Sequence, residues 1–221
     1  LQNYLKLNKI NYALYYCINN KKNSNIPEYP CYYVAGDEQI FLNEYSIKYP
    51  VYPMSFLQVN NQVKKLVYDE IISRVKGYAN VIDAYSGAGL LSAILAKNNK
   101  NVVAVEIDES ASKACEQLCR QNDIKNVKSI CGDCANILPL LLQENKYDFI
   151  VLDPARAGVD QSILQEIVNY KIQNVIYLSC NPATLTRDLE TLTNGGYKIT
   201  FAKPYDMFPQ TSNVETLVQL K

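Results

Sequence analysis

The sequence predicts an α/β domain built on a doubly wound, mostly parallel sheet, preceded by a small β-rich extension. From about residue 80 onward, apolar β-type runs alternate with helical stretches, which is typical of a parallel sheet covered on both faces. The last two runs are joined by a loop that contains Pro204 and Pro209, with no helix, so we expect an antiparallel hairpin there. Apolar residues make up 48% of the 221-residue chain and charged residues 20%, which is enough for a packed core.

The predicted main domain covers residues 55–221. It begins with a helix on which Val63, Leu66, Val67 and Ile71 share one face, and which ends near Gly77. The predicted strands are 81–85, 102–106, 127–131, 149–153, 175–179, 198–203 and 214–220. The predicted helices are 90–97, 109–121, 135–143, 161–170 and 183–192.

The predicted extension covers residues 1–54 and is rich in tyrosine. Short β-type runs at 12–18, 31–34 and 39–42 are separated by turn-forming clusters, which indicates a small antiparallel sheet. Exposed tyrosines could stack on nucleic-acid bases, although tyrosine is also an ordinary strand residue. The pattern leaves both interpretations open.

Charge and histidine content exclude several kinds of function. The chain has 22 basic and 22 acidic residues, so any grip on nucleic acid must come from a local patch. It has no histidine, which removes Ser-His and Cys-His catalytic pairs and most zinc-enzyme ligand sets. We therefore expect no metal site in this chain.

The seven cysteines and the chain start bear on the compartment. An odd number of scattered cysteines does not suggest a disulfide framework, so we expect reduced thiols and a cytoplasmic location. Cys131 and Cys134 form a C-x-x-C, but without a second pair or a histidine we interpret the spacing as coincidence. No apolar run is long enough for a membrane span. The first residue is Leu1 and no signal-peptide pattern follows, so we expect a fragment or a processed chain.

A glycine-containing loop follows the first strand of the main domain. Gly87 and Gly89 would let backbone approach a ligand at a helix N-terminus. A dinucleotide site usually needs a third glycine where Ser92 stands, and it does not usually have an acid such as Asp83 ending the strand. An acid there suits a ligand with a cationic amino-acid tail, such as S-adenosyl-L-methionine.

Acidic residues also end the next two strands. Glu106 could bind both ribose hydroxyls, and Asp133 lies where an acid or amide usually meets the adenine edge. With Asp83, these acids favour S-adenosyl-L-methionine as the cofactor. Two alternatives stay open: acids that merely cap helices, and a nicotinamide cofactor with an incomplete glycine motif.

A cysteine lies between a buried strand and a helix start in the sequence Ser-Cys-Asn-Pro at residues 179–182. Asn181 is a preferred N-cap and Pro182 suits the first helical turn. Cys180 therefore lies at the carboxyl end of a strand, where a helix N-terminus favours the thiolate. It is a candidate nucleophile, although most free cysteines are simply small apolar residues.

Five motifs in order make the chain resemble the RNA (uracil-5-)-methyltransferases of bacteria and archaea. The resemblance spans about residues 50–221 and implies a Rossmann-like methyltransferase fold that forms 5-methyluridine in RNA, with ribosomal RNA favoured over transfer RNA. The motifs are Phe-x-Gln-Val-Asn at 56–60, Asp-x-Tyr-Ser-Gly-x-Gly at 83–89, Val-x-Val-Glu at 103–106, Asp-Pro-x-Arg-x-Gly at 153–158, and Ser-Cys-Asn-Pro at 179–182 with Phe-Pro-x-Thr-x-x-Val-Glu at 208–215.

The resemblance assigns roles to individual residues. It makes Cys180 the nucleophile that adds to carbon 6 of uracil and Glu215 the base that removes the proton from carbon 5. Arg156 could contact phosphate or pair with a neighbouring acid, and Asn181 is a further substrate-binding candidate. The residues implied to contact S-adenosyl-L-methionine are Gln58, Tyr85, Glu106 and Asp153; for Gln58 the alternative is an ordinary helix-start residue, and Asp153 could also face the uracil.

The sequence also departs from the family. Asn213 stands where a histidine usually precedes Val-Glu, from which we expect tuning of the loop without loss of activity. We recognise neither the family's RNA-binding barrel nor its iron–sulfur motif, so we expect weak RNA affinity from this piece. Two alternatives stay open: a non-catalytic binding module, and a methyltransferase for another substrate. Neither would need Cys180.

Overall fold

The computed structural model of this chain describes residues 1–18, 30–51, 57, 58 and 60–221. The chain divides into two compact units, Leu1–Leu57 and Gln58–Lys221. The boundary predicted between residues 54 and 55 lies outside the described residues, as do the turn cluster at 19–25 and part of the motif at 56–60. Within the described ranges, no helix is long and apolar enough to cross a membrane.

The first unit contains two antiparallel strand pairs. Strand β1 (Ala13–Cys17) pairs with β2 (Cys31–Gly36), and β3 (Ile40–Glu44) pairs with β4 (Ile47–Val51). The sequence did not predict β4 or the short helix α1 (Gln2–Leu7). Helix α1 buries no residue and has no side-chain N-cap, so no amphipathic pattern marks it.

The second unit is an α/β domain with a seven-stranded sheet, and the seven strands are those that the sequence predicts. The strand order is β10-β11-β9-β8-β5-β6-β7, with β5 to β9 parallel and β11 antiparallel to both β9 and β10. The elements are α2 (Asn61–Val75), β5 (Asn80–Ala84), α3 (Leu90–Ala96), β6 (Asn101–Glu106), α4 (Glu109–Gln121), β7 (Val127–Cys131), α5 (Cys134–Glu144), β8 (Phe149–Leu152), α6 (Gln161–Asn169), β9 (Asn174–Ser179), α7 (Pro182–Asn194), β10 (Ile199–Tyr205) and β11 (Glu215–Leu220).

The core lies on both faces of this sheet. In β8, Ile150 and Leu152 belong to the hydrophobic cluster on one face, while Phe149 and Val151 belong to the cluster on the other. All four are fully buried, because successive side chains of a strand point to opposite faces and helices cover both. This two-sided burial explains why the strands are continuous apolar runs in the sequence.

One predicted core residue of α2 is wrong. Leu66 is 59% exposed, whereas Val67, Ile71 and Val75 are fully buried. The buried stripe follows the spacing of four residues, so Leu66 falls one position to the side of it. The predicted end of the helix is close: α2 ends at Val75, and Gly77 follows with φ of +91°.

Candidate active site

Most of the predicted site residues lie at one edge of the sheet, where the parallel strands end. The chain leaves β5 toward β6 on one side and returns to β8 on the other, and ligands of open α/β sheets bind at such a reversal. Because β11 runs antiparallel to β9, its first residue also lies at this edge. The residues that follow or end these strands here are Asp83, Tyr85, Gly87, Glu106, Asp133, Asp153, Arg156, Cys180, Asn181 and Glu215.

Gln58 is the predicted site residue that lies before α2 and not at a strand end. It precedes Asn60, whose side-chain oxygen accepts a hydrogen bond from the Val63 amide at 3.2 Å and caps α2. Gln58 itself is partly buried. Its contact with a cofactor stays a prediction, and so does the alternative of a helix-start residue.

Cys180 directly follows β9, opposite the start of β11. The register pairs Ser179 with Thr216, so the next position along brings Cys180 alongside Glu215. Burial raises the pKa of the Cys180 thiol, the carboxyls of Glu215 and Asp153 raise it further, and the Arg156 guanidinium and a backbone amide lower it. The net direction of this pKa shift is upward, which is opposite to the shift expected from the helix N-terminus alone.

Glu215 is the first residue of β11 and is 3% exposed. Burial raises the pKa of its carboxyl, and the positive charge of Arg156 partly offsets that rise. A carboxylate with a raised pKa is a stronger proton acceptor than an exposed one. The role of Glu215 as a base stays a prediction, and a buried carboxyl with a raised pKa beside Cys180 is compatible with it.

Two further carboxyls make this edge acidic. Burial raises the pKa of Asp83 to about 7 and that of Asp153 to about 8, and repulsion from neighbouring carboxyls contributes to both shifts. Asp153 is densely surrounded but keeps part of its surface accessible, whereas Asp83 is 1% exposed and accepts a hydrogen bond from the Ser92 hydroxyl. Asp153 is therefore accessible to a ligand, whereas Asp83 is shielded by its surroundings; their contacts with a cofactor stay predictions.

The loop after β5 has an unusual backbone. Tyr85, Gly87 and Gly89 all have positive φ values, of +65°, +54° and +81°. A Cβ at Gly87 would meet nothing within 4 Å, so this part of the loop borders open space. The buried hydroxyl oxygen of Ser86 has no hydrogen-bond partner within the described part of the chain. Open space beside an unpartnered polar atom suits a polar ligand.

Glu106 braces this loop from the neighbouring strand. One carboxylate oxygen accepts a hydrogen bond from the Gly87 amide at 2.8 Å, and the other accepts one from the Asp108 amide at 2.9 Å. Sequence reasoning predicted a ribose contact and missed this bracing. Each carboxylate oxygen keeps further acceptor capacity, so the two roles are compatible.

Tyr85 and Asp133, both predicted to contact the cofactor, also make contacts within the protein. The ring of Tyr85 packs on the core cluster of one sheet face, and burial raises the pKa of its phenol. Asp133 is exposed and caps α5 by accepting the Ala135 amide at 2.9 Å. The helix-capping alternative is therefore observed for Asp133, whereas Asp83 and Glu106 cap no helix.

Asn181 links the cysteine segment to the loop after β8. Its side-chain oxygen caps α7 by accepting the Ala183 amide at 3.1 Å, and its side-chain nitrogen donates to the backbone carbonyl of Arg156 at 3.1 Å. The Thr184 hydroxyl donates to the same carbonyl at 3.3 Å. The exposed Arg156 side chain interacts electrostatically with both Cys180 and Glu215. Sequence reasoning predicted the cap and missed the loop contact.

Sequence reasoning also missed Asp188, a fully buried acid on α7. It occupies the buried stripe formed with Leu185 and Leu192. An acid at that position of an apolar stripe was the signal that could have revealed it.

Comparison with known proteins identifies the family of this chain. The family model of the tRNA (uracil-5-)-methyltransferases matches residues 32–221. The chain belongs to this family. An uncharacterized RNA methyltransferase of Halalkalibacterium halodurans is 39% identical over 84% of the chain, and one of Fusobacterium nucleatum is 35% identical over 92%. The chain spans 41% and 44% of those proteins, which is less than half of their length.

Solved structures of methyltransferases share the fold. The Pyrococcus abyssi tRNA (uracil-54, C5)-methyltransferase in complex with S-adenosyl-L-homocysteine matches 95% of this chain, with a TM-score of 0.79 and 26% identity, over half of its own length. Trm5b from the same organism covers the whole chain with a TM-score of 0.71 at 16% identity, over 67% of its own length, which supports the fold alone. The Rossmann-like methyltransferase fold expected from the motifs is therefore confirmed.

Proposed function

We propose that this family member transfers a methyl group from S-adenosyl-L-methionine to carbon 5 of a uridine in RNA. The observation that carries the proposal is the meeting of Cys180 and Glu215 at the carboxyl edge of the sheet, the same edge at which the glycine loop after β5 and the acids Asp83, Glu106 and Asp153 lie. The reaction requires a nucleophile, a base and a site for a positively charged cofactor, and the thiol, the buried carboxyl and the neighbouring acids could supply them.

These acids suit the positively charged S-adenosyl-L-methionine, because neighbouring carboxyls raise the pKa values of Asp83 and Asp153 and a bound cation would offset that repulsion. In this proposal, Asp153 lies near the positively charged sulfur of the cofactor, Glu106 near its ribose, and the glycine loop near its amino-acid tail. When bound, the cofactor supplies the methyl group that carbon 5 accepts. The Pyrococcus abyssi relative holds the demethylated form of this cofactor.

Cys180 and Glu215 would carry the chemistry on the base. Once the Cys180 thiol has lost its proton to solvent, its sulfur forms a bond to carbon 6, and the electron pair of the 5,6 double bond moves toward the carbonyl oxygen, which makes carbon 5 nucleophilic. After carbon 5 has gained its methyl group, Glu215 takes the proton from that carbon. The double bond re-forms and the bond from sulfur to carbon 6 breaks, which frees Cys180. The target base must leave its stack to reach Cys180.

The alternatives predict different outcomes. A non-catalytic binding module would need neither Cys180 nor Glu215, and a methyltransferase for another substrate would not need Cys180. The family name and the Pyrococcus abyssi relative both concern transfer RNA, so the ribosomal preference expected from the sequence stays a prediction. A cytoplasmic location stays a prediction as well.

The test is denaturing mass spectrometry of the protein with S-adenosyl-L-methionine and RNA that contains 5-fluorouridine. Fluorine cannot leave carbon 5 as a proton, so the proposed enzyme traps itself in a covalent complex. We expect an adduct with one added methyl group that is absent in Cys180→Ala, with ribosomal and transfer RNA transcripts tested in parallel. If the full-length protein binds the cofactor and methylates natural RNA without forming an adduct, the proposed mechanism is wrong.

A further inference from the structure

A buried carboxylate lies behind the cysteine segment without touching the proposed site. Asp188 is fully buried on α7, two turns after the N-cap Asn181. A buried charge costs free energy unless hydrogen bonds and charges compensate it. The partners of Asp188 therefore show what this carboxylate organises.

Asp188 binds the last part of the segment between β8 and α6, and it also binds side chains of β9, α6 and its own helix α7. One carboxylate oxygen of Asp188 accepts the Val159 amide at 2.9 Å and the Tyr177 hydroxyl at 2.6 Å. The other oxygen accepts Nε of Arg187 at 2.8 Å and the side-chain amide of Gln161 at 3.4 Å. Through these hydrogen bonds, Asp188 connects the end of this segment with the strand β9 and with its own helix.

The Arg187 side chain continues the attachment. It pairs with Asp188 at 2.7 Å and donates to the backbone carbonyl of Ala157 at 3.0 Å. Gly158 lies so close that a Cβ there would come within 2.5 Å of an Asp188 oxygen, and its φ is +80°. The glycine of the Asp-Pro-x-Arg-x-Gly motif is therefore required by the approach of Asp188, as well as by its backbone conformation.

These contacts hold the stretch 156–159, which we call the arginine loop, against α7. Asn181 and Thr184 bind the carbonyl of Arg156, while Arg187 and Asp188 bind the two ends of the next three residues. The loop carries Arg156, whose positive charge lowers the pKa values of both Cys180 and Glu215. Movement of this loop would move that cation.

We propose that Asp188 is a positioning residue, which holds the arginine loop against α7 so that the Arg156 guanidinium stays beside Cys180 and Glu215. This proposal rests on the proposed function, because it gives Arg156 a task only if Cys180 is the nucleophile. Asp188 itself does not touch the reacting atoms. It acts through Arg156.

The test compares the reactivity of Cys180 in single and double variants. The rate at which iodoacetamide alkylates Cys180 at neutral pH, followed by peptide mass spectrometry, reports the thiolate without RNA or cofactor. We expect Asp188→Asn and Arg156→Ala each to slow this alkylation severalfold. In the Arg156→Ala background, Asp188→Asn should add no further slowing, since both changes remove the same interaction. For methylation, we expect a loss in kcat on the order of 10²-fold in Asp188→Asn.

The matched control is Asp148→Asn, at the opposite edge of the sheet. Asp148 accepts the amides of Ala79 and Asn80 at 3.1 and 2.9 Å, so its loss removes comparable hydrogen bonds far from the site. It should leave the alkylation of Cys180 unchanged. If Asp188→Asn does not fold by circular dichroism, Tyr177→Phe replaces it, because that change removes one donor to Asp188 and keeps the ring.

Two results would overturn the proposal. One is a folded Asp188→Asn protein that alkylates Cys180 at the wild-type rate; the other is full additivity of Asp188→Asn with Arg156→Ala. The proposed function fails separately. A wild-type protein that methylates no RNA but shows the expected alkylation pattern contradicts the assigned reaction and supports the positioning of Arg156.

Discussion

The cofactor half and the substrate half of the site are built in different ways. On the cofactor side, Glu106 and Asp133 are held by backbone amides close to the strand ends that carry them. On the substrate side, Cys180 and Glu215 meet only because the last strand inserts antiparallel beside β9. Hydrogen bonds from carboxylates to loop amides therefore organise one half, and strand pairing organises the other. Changes in each half should consequently affect different measurements.

The largest effect is expected from Glu215→Gln in the substrate half. Loss of the base should slow turnover by about 10²- to 10⁴-fold while Cys180 still adds to the ring. Natural uridine RNA should then accumulate as a covalent, methylated complex, seen by denaturing mass spectrometry.

The same variant carries an internal control. Because the Glu215 carboxyl raises the pKa of Cys180, Glu215→Gln should lower that pKa and speed alkylation of Cys180 by iodoacetamide. Cofactor affinity should change little. A variant with slow turnover, no adduct and slow alkylation would contradict the role of Glu215 as a base.

In the cofactor half, Glu106→Ala should weaken S-adenosyl-L-methionine binding about ten- to a hundredfold. The reason is that the Gly87 amide loses its charged acceptor together with any ribose contact. Isothermal titration calorimetry measures the change, and alkylation of Cys180 should stay at the wild-type rate.

Glu109→Ala is the matched control for Glu106→Ala. Glu109 begins α4 nearby and forms an exposed ion pair with Lys113. Exposed ion pairs contribute little to the stability of the fold, so Glu109→Ala should leave cofactor affinity unchanged. An equal loss of cofactor affinity in both variants would show that Glu106 does not contribute specifically to cofactor binding.

The pH dependence of cofactor binding should follow the acidic cluster. The raised pKa values of Asp83 and Asp153, about 7 and about 8, mean that both carboxyls are largely neutral at low pH and become charged as pH rises. Affinity for the positively charged cofactor should therefore increase severalfold from about pH 6 to about pH 8. Asp83→Asn should flatten the lower part of this rise, and a wild-type affinity independent of pH would contradict it.

The smallest effects concern stability at the glycine loop. Gly89→Ala places a Cβ 2.2 Å from the sulfur of Cys115 at a φ of +81°, so the free energy of unfolding should fall by about 2–4 kcal/mol. Gly87→Ala meets only the positive φ and should lose about 1–2 kcal/mol. Denaturant unfolding measures both, and equal losses would contradict the role of Cys115.

Much of the fold was predictable because its signals are local. The strands and helices after residue 80 follow from periodicity, and Asn181 and Pro182 marked the start of α7 through preferences that act within one turn. The element bounds differ from the predicted ones by one or two residues, as at β5 and α3. In the first unit, α1 and β4 have weak local signals and were missed.

The sequence by itself determined the alternation of strands and helices, and so the edge at which Asp83, Glu106 and Cys180 lie. Periodicity and capping need only neighbouring residues, which is why they can be recognised in the chain. Only the tertiary structure decided that burial and carboxyls raise the pKa of Cys180, that Glu106 braces the glycine loop, and that Asp188 fixes the arginine loop. Those features depend on desolvation and on contacts between residues distant in sequence, which no local pattern records.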